Sequence, residues 1–156
     1  MRHERAVSDA LDYAAARGML VVAAAGNQGM LGSSAITRHD WVIPVTAFKG
    51  DGRLSAESNL AGSFARRGIG APGDSVTSLT ANGGNAPGGG TSVAAPFVTG
   101  TIALLWSLFP NLSSGTLRRV LVATVPSRRR TLVPPLMDAA HAYETLRDAV
   151  TKGVLV

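Results

Sequence analysis

The chain has 156 residues, 46% of them apolar and 16% charged, with a formal net charge of +5. That length suits one domain or a large piece of one, and the balance of residues excludes a disordered chain. There is no cysteine. Disulfides, thiol catalysis and cysteine-bound zinc are therefore excluded, while both the cytoplasm and secretion stay compatible with the composition. No apolar run reaches the length of a membrane span, and Met1-Arg2-His3-Glu4-Arg5 does not read as a secretory leader. Arg128-Arg129-Arg130, with Arg118 and Arg119 nearby, has no aromatic interleaving and no nucleic-acid motif around it. It reads as solvated basic surface, so neither a nucleic acid nor a membrane is expected as a partner.

The elements follow from periodicity. Residues 4–17 place Ala6, Ala10, Leu11, Ala14 and Ala15 on one helical face, and Gly18 stops the helix. Residues 19–25 form a valine-rich apolar run, the pattern of a fully buried parallel strand. The run ends in Gly26-Asn27-Gln28-Gly29, a turn at the carboxyl end of a strand, where open α/β sheets bind ligands. Residues 30–40 form a polar loop. Residues 41–46 predict the next strand, with Pro44 arguing for an edge or bulge position. Residues 50–67 read as loop. Residues 68–71 and 75–79 are short strand candidates around Pro72-Gly73-Asp74, and residues 80–90, rich in Gly, Asn and Pro, read as flexible.

From Thr91 or Ser92 to about Phe109 runs a helix that is apolar nearly all round, which predicts a central position. Pro96 falls early enough to be tolerated, and Pro110 ends the helix. Another helix starts near Ser113 or Ser114 with Leu117, Val120 and Leu121 inward, and a last one covers about residues 138–150. The order predicts an α/β three-layer sandwich with a mostly parallel sheet. It opens on a helix with no strand before it, as the second half of such a fold would.

Two loops carry candidate chemistry. Gly88-Gly89-Gly90 removes side chains from the approach to Thr91 and Ser92, and Ser92 lies at the positive end of an apolar helix. A serine there is either a nucleophile or a simple helix cap. Asn27 is either a left-handed turn residue or an amide donor to a developing oxyanion, acting with the N–H of the nucleophile. The three histidines, His3, His39 and His141, are scattered without metal-ligand spacing.

Residues 21–27, Val-Val-Ala-Ala-Ala-Gly-Asn, and residues 90–96, Gly-Thr-Ser-Val-Ala-Ala-Pro, resemble the oxyanion-asparagine and nucleophile-serine motifs of subtilisin-like serine proteases. Ala71-Pro72-Gly73 lies between them in the order of that family, and the resemblance runs from the first helix to about Tyr143. Several strings, Ser34-Ala35-Ile36-Thr37-Arg38-His39 and Pro96-Phe97-Val98-Thr99-Gly100 among them, are more similar to the branch that matures cyanobactin peptides.

The resemblance implies a serine endopeptidase with Ser92 as nucleophile and Asn27 in the oxyanion hole. Ala24, Ala25, Gly26 and Thr91 would be substrate-binding, and the partner would be a peptide or protein substrate. No cofactor is implied beyond the calcium frequent in the family, and Asp51, Glu57 and Asp74 are too dispersed to mark a site for it. Two departures stand out. Val93 replaces the methionine common after the serine, which removes an oxidisable thioether. The region Thr37-Arg38-His39-Asp40 does not follow the secreted pattern, so substrate preference does not carry over.

The Asp and His motifs of the triad should precede the first helix, and they are absent from these 156 residues. The expectation is the C-terminal part of a catalytic domain, with Met1 an internal methionine, inactive alone and lacking its N-terminal half. The alternatives are a non-catalytic peptide-binding module and one half of a split protease.

Overall fold

The computed structural model describes residues 2–123 and 131–154, so Arg128-Arg129-Arg130 lies outside the described residues. In chain order the elements are α1 (Arg2–Ala16), β1 (Val22–Ala24), α2 (Ala35–Arg38), β2 (Ile43–Phe48), α3 (Phe64–Arg67), β3 (Ile69–Pro72), β4 (Val76–Leu79), β5 (Asn85–Gly88), α4 (Thr91–Leu108), α5 (Ser114–Ala123) and α6 (Ala139–Thr151). Strands β1, β2 and β3 form a parallel sheet in that order. This is the α/β class with a parallel sheet and helices.

All six residues of β2 are buried. Side chains alternate across a strand, so both faces of the sheet are covered at its centre. Ile43, Val45 and Ala47 share one core with Ala94, Val98, Ile102 and Leu105 of α4, joined by Leu117 and Leu121 of α5 and Ala142 and Leu146 of α6. Leu117 and Leu121 point inward as their spacing predicts, and Val120 is half-buried. On the other face the ring of Phe48 covers Gly70, where a Cβ would collide with it.

Pro44 does not mark an edge. Its strand is the middle one. Ile43 N–H donates to Val21 and the Val45 carbonyl accepts from Ala25, so the odd residues of β2 face β1. Pro44 therefore turns its missing N–H toward β3, one residue before the pairing of Val45 with Ile69 begins. No ladder bond is lost.

The amino ends of β2 and β3 are tied by one buried cation. Arg67, the last residue of α3, donates to the carbonyls of Thr37 at 2.6 Å, His39 at 2.8 Å and Val42 at 3.1 Å, and to Ser63 Oγ at 3.0 Å. Burial pushes its guanidinium below the usual value, and Asp40 offsets part of that. Arg118 donates to the Asp40 carbonyl at 2.6 Å and lies over the Trp41 ring, so this part of the basic sequence is structural.

Further expectations change. The strand read over residues 19–25 shortens to Val22–Ala24 and is only half-buried, because β1 is the outer strand of the sheet. The stretches read as loop over 30–40 and 50–67 contain α2 and α3. Residues 85–88 are not free loop. They pair antiparallel with β4, and Gly83 at φ +78° makes the turn. Helix α4, apolar nearly all round, was expected to be central, and only a stripe of it is buried. Leu104 is 69% exposed and Leu108 61%, because the sheet covers one side of the helix. By length and composition this helix would also suffice to cross a membrane, contrary to the expectation from its sequence. One stripe of it packs against all three parallel strands.

Candidate active site

Strand β1 ends at the carboxyl side of the sheet, and α4 starts on the same side. After β3 the chain turns at Gly73, whose N–H donates to the Phe48 carbonyl and whose carbonyl accepts from Gly90 N–H at 2.7 Å. That bond sets the start of α4 against the sheet end, beside Asn27.

The contact between the two loops is a short relay. Gly26 N–H donates to Thr91 Oγ1 at 3.1 Å, and Thr91 Oγ1 and the Thr91 N–H donate to Asn27 Oδ1 at 2.9 and 2.8 Å. A backbone N–H can only donate, so the atom facing it must be the carboxamide oxygen. The Asn27 amide is thereby turned in one sense, and its Nδ2 has no partner among the described residues.

Gly90 is the N-cap of α4, at φ +104°. A Cβ there would sit 2.7 Å from Asn27 Nδ2, so the glycine is needed for this approach. Ser92 is the second residue of the helix, exposed, and it does not cap it. Asn27 is not in the left-handed region. Among the described non-glycine residues only Ser75, at φ +53°, has a positive φ. Neither a serine cap nor a left-handed asparagine turn is therefore present at these two positions.

A helix start leaves its first N–H groups without intrahelical partners. Here Thr91 N–H is used by Asn27, and those of Val93 and Ala94 reach the Gly90 carbonyl at 3.0 and 3.2 Å. The Ser92 N–H has no acceptor among the described residues. An unpaired N–H and an unpaired carboxamide Nδ2 therefore accompany one exposed hydroxyl at the positive end of α4.

Of the residues expected to bind substrate, Ala24 and Gly26 are half-buried and Ala25 is buried. Thr91 is fully buried, so its side chain offers a substrate no surface; its hydroxyl serves Gly26 and Asn27 instead. Asn59 escaped the sequence reading, since a Ser-Asn pair within a loop carries no periodic signal. Its N–H donates to the Gly26 carbonyl at 2.9 Å, and its Oδ1 accepts from Gln28 N–H at 3.0 Å and Met30 N–H at 3.1 Å.

None of the histidines is placed to take a proton from Ser92. His39 lies before β2, at the amino end of the sheet. Its Nε2 meets Asp12 Oδ1 at 3.2 Å and its Nδ1 accepts from Trp41 N–H at 3.3 Å, so both ring nitrogens are engaged. His141 is on α6, in a groove with Arg119, Val120 and Ala123 of α5. His3 is an exposed residue of the first turn of α1.

The chain is 37% identical over 123 residues to subtilisin DY of Bacillus licheniformis, a match covering 76% of this chain and 44% of that protein. The solved structure of the self-cleaved protease domain of PatA is 27% identical, with a TM-score of 0.81 over 90% of this chain and 55% of that one. The prenylagaramide maturation protease PagA is 27% identical, with a TM-score of 0.80 over 88% of this chain and 54% of that one. The chain thus spans about half the length of these proteins. The model of the subtilase family, Peptidase_S8, matches residues 2–149, from the first helix into the last. A match of that extent, on a parallel sheet whose carboxyl end joins the glycine-serine loop to the asparagine loop, makes this chain a member of the subtilase family of serine proteases.

Proposed function

We propose that the protein is a serine endopeptidase in which Ser92 attacks the scissile carbonyl and Asn27 and the Ser92 N–H hold the oxyanion. The observation that carries this reading is the orientation of Asn27. Thr91 occupies its Oδ1, which leaves Nδ2 as a donor beside the glycine that leads to Ser92. Donors fixed in advance stabilise a developing charge without reorganisation at the moment of reaction. In this reading Thr91 is a positioning residue, and Ala24, Ala25 and Gly26 line the path of a substrate backbone. The substrate is a peptide. The solved proteins it resembles are named as proteases, PagA as a maturation protease, which supports a peptide-processing role of the cyanobactin-maturing kind. Acyl transfer of this type uses protein groups alone and needs no cofactor.

The general base and its carboxylate are supplied by the half of the catalytic domain that this chain does not match, on the same polypeptide or another. Without a base the Ser92 hydroxyl stays protonated and weakly nucleophilic. The test is peptide turnover by the domain with both halves present. Ser92→Ala is expected to abolish acyl-enzyme formation. Asn27→Ala is expected to lower kcat with KM little changed; the loss of ~10²–10³ is the value for subtilisin itself, a member of this family. A chain whose turnover ignores both substitutions would instead be a peptide-binding module or use another nucleophile.

A further inference from the structure

Strand β1 leaves the sheet before β2 ends. Ala25 N–H still donates to Val45, but the next odd residue of β2, Ala47, is served by another segment. Its carbonyl accepts from Ser55 N–H at 2.8 Å, and its N–H donates to Ser58 Oγ at 2.9 Å. Ser55 and Ser58 thus take the place β1 has vacated, and both are buried. The divergence frees Gly26 and Asn27 to turn toward α4.

Asn59 follows Ser58 directly and holds the diverging loop on both sides of Asn27. Before Asn27, the Gly26 carbonyl accepts from Asn59 N–H at 2.9 Å, and the Asn59 side chain packs so closely on Gly26 that a Cβ there would collide with its Nδ2. After Asn27, Asn59 Oδ1 accepts from the N–H groups of Gln28 and Met30, and Asn59 Nδ2 donates to Gln28 Oε1 at 2.6 Å. Thr91 grips the Asn27 carboxamide from the helix side, and Asn59 grips the backbone before and after Asn27 from the sheet side. We infer that Asn59 is a positioning residue for the oxyanion site, fixing the backbone from which Asn27 Nδ2 is aimed. This rests on the oxyanion role proposed above for Asn27.

The test is a double-mutant cycle in the whole catalytic domain, with Asn59→Ala, Asn59→Asp, Asn27→Ala and the combination of Asn59→Ala with Asn27→Ala. Misplacing a preorganised donor lowers the chemical step more than binding, so Asn59→Ala is expected to lower kcat about tenfold and move KM by less than about twofold. Asn59→Asp keeps an acceptor for both N–H groups, and the Gln28 amide can flip to donate to it, so turnover should return close to that of the unsubstituted protein. In the Asn27→Ala background Asn59→Ala should cost nothing further, since the group it positions is gone.

Hydrogen exchange in the same proteins supplies a readout independent of turnover. The amides of Gln28 and Met30 should exchange faster in Asn59→Ala and not in Asn59→Asp, while those of Ala25 and Ile43 in the β1–β2 ladder keep their protection. An equal loss from Asn59→Ala with and without Asn27, or unchanged exchange at Gln28 and Met30, overturns the inference. If Asn27→Ala alone leaves kcat untouched, the oxyanion assignment itself fails and takes this inference with it.

Discussion

Gly90 decides more at its position than any side chain could. Its φ of +104° and the 2.7 Å that would separate a Cβ from Asn27 Nδ2 both exclude a substituent. Gly90→Ala should displace the Asn27 amide and cost about 1–3 kcal/mol of backbone strain. Turnover should fall by more than that loss of stability explains, as comparison of kcat with the denaturation midpoint will show. Arg67 works through hydrogen bonds that no neighbouring residue can replace. Arg67→Met fills similar volume but leaves the carbonyls of Thr37, His39 and Val42 without their donor. At about 1–3 kcal/mol for each orphaned buried group that water cannot reach, the expected loss is at least about 3 kcal/mol, measured by urea denaturation. Arg67→Lys should not restore it, because one ammonium cannot span all three carbonyls. Ser92 and Asn27 were legible in the sequence because their neighbours are small and glycine-rich. Asn59 and Arg67 were not, because their partners lie about 25 to 31 residues away and no local pattern announces them.

The element most misjudged from sequence was α4. Its apolar residues, nearly all round the axis, predict a central position, yet only the stripe of Ala94, Val98, Ile102 and Leu105 meets the sheet. Phe97, Leu104 and Leu108 remain exposed, with Phe97 and Leu104 beside Pro96, Gly100 and Thr101 in an open groove. The substitutions Leu104→Gln and Leu108→Gln should therefore change the stability of this chain by no more than about 0.5 kcal/mol each while reducing its aggregation, read by light scattering. In the whole catalytic domain the same pair should destabilise by about 1.5–3 kcal/mol per leucine if the other half covers this face. Neutral substitutions in both settings would mean that nothing packs there. The hairpin of β4 and β5 shows the opposite error. Its Gly, Asn and Pro content reads as loop, but Pro87 sits on the edge strand of a two-stranded ribbon, where a missing N–H is tolerated.

For the molecule as a whole, the chain spans about half the length of the proteins it matches, and among the described residues it leaves the outer edge of β1 unpaired and one side of α4 exposed. Added alone, a fluorophosphonate probe should label Ser92 feebly, because both ring nitrogens of His39 are occupied and the histidine lies at the wrong end of the sheet. Adding the complementing half should raise labelling by orders of magnitude, read as probe incorporation abolished by Ser92→Ala. Strong labelling of the chain alone would place a base within these residues and refute the division of the triad.

The amino-acid sequence by itself determined the family, the α/β order of elements and the two loops of the proposed site. Those features are local: a glycine run before a serine, an apolar strand ending in Gly26-Asn27, and alternating or helical spacing. Only the tertiary structure decided that Thr91 faces inward, that Asn27 is turned by it, and that Ser55–Asn59 replaces β1 beside β2 so that the asparagine loop can swing toward α4. The first two depend on hydrogen bonds between residues 64 and 65 apart in the chain, which form only once the parallel sheet has brought its carboxyl ends together, and the third on the bonds of Ser55 and Ser58 to Ala47 of the middle strand.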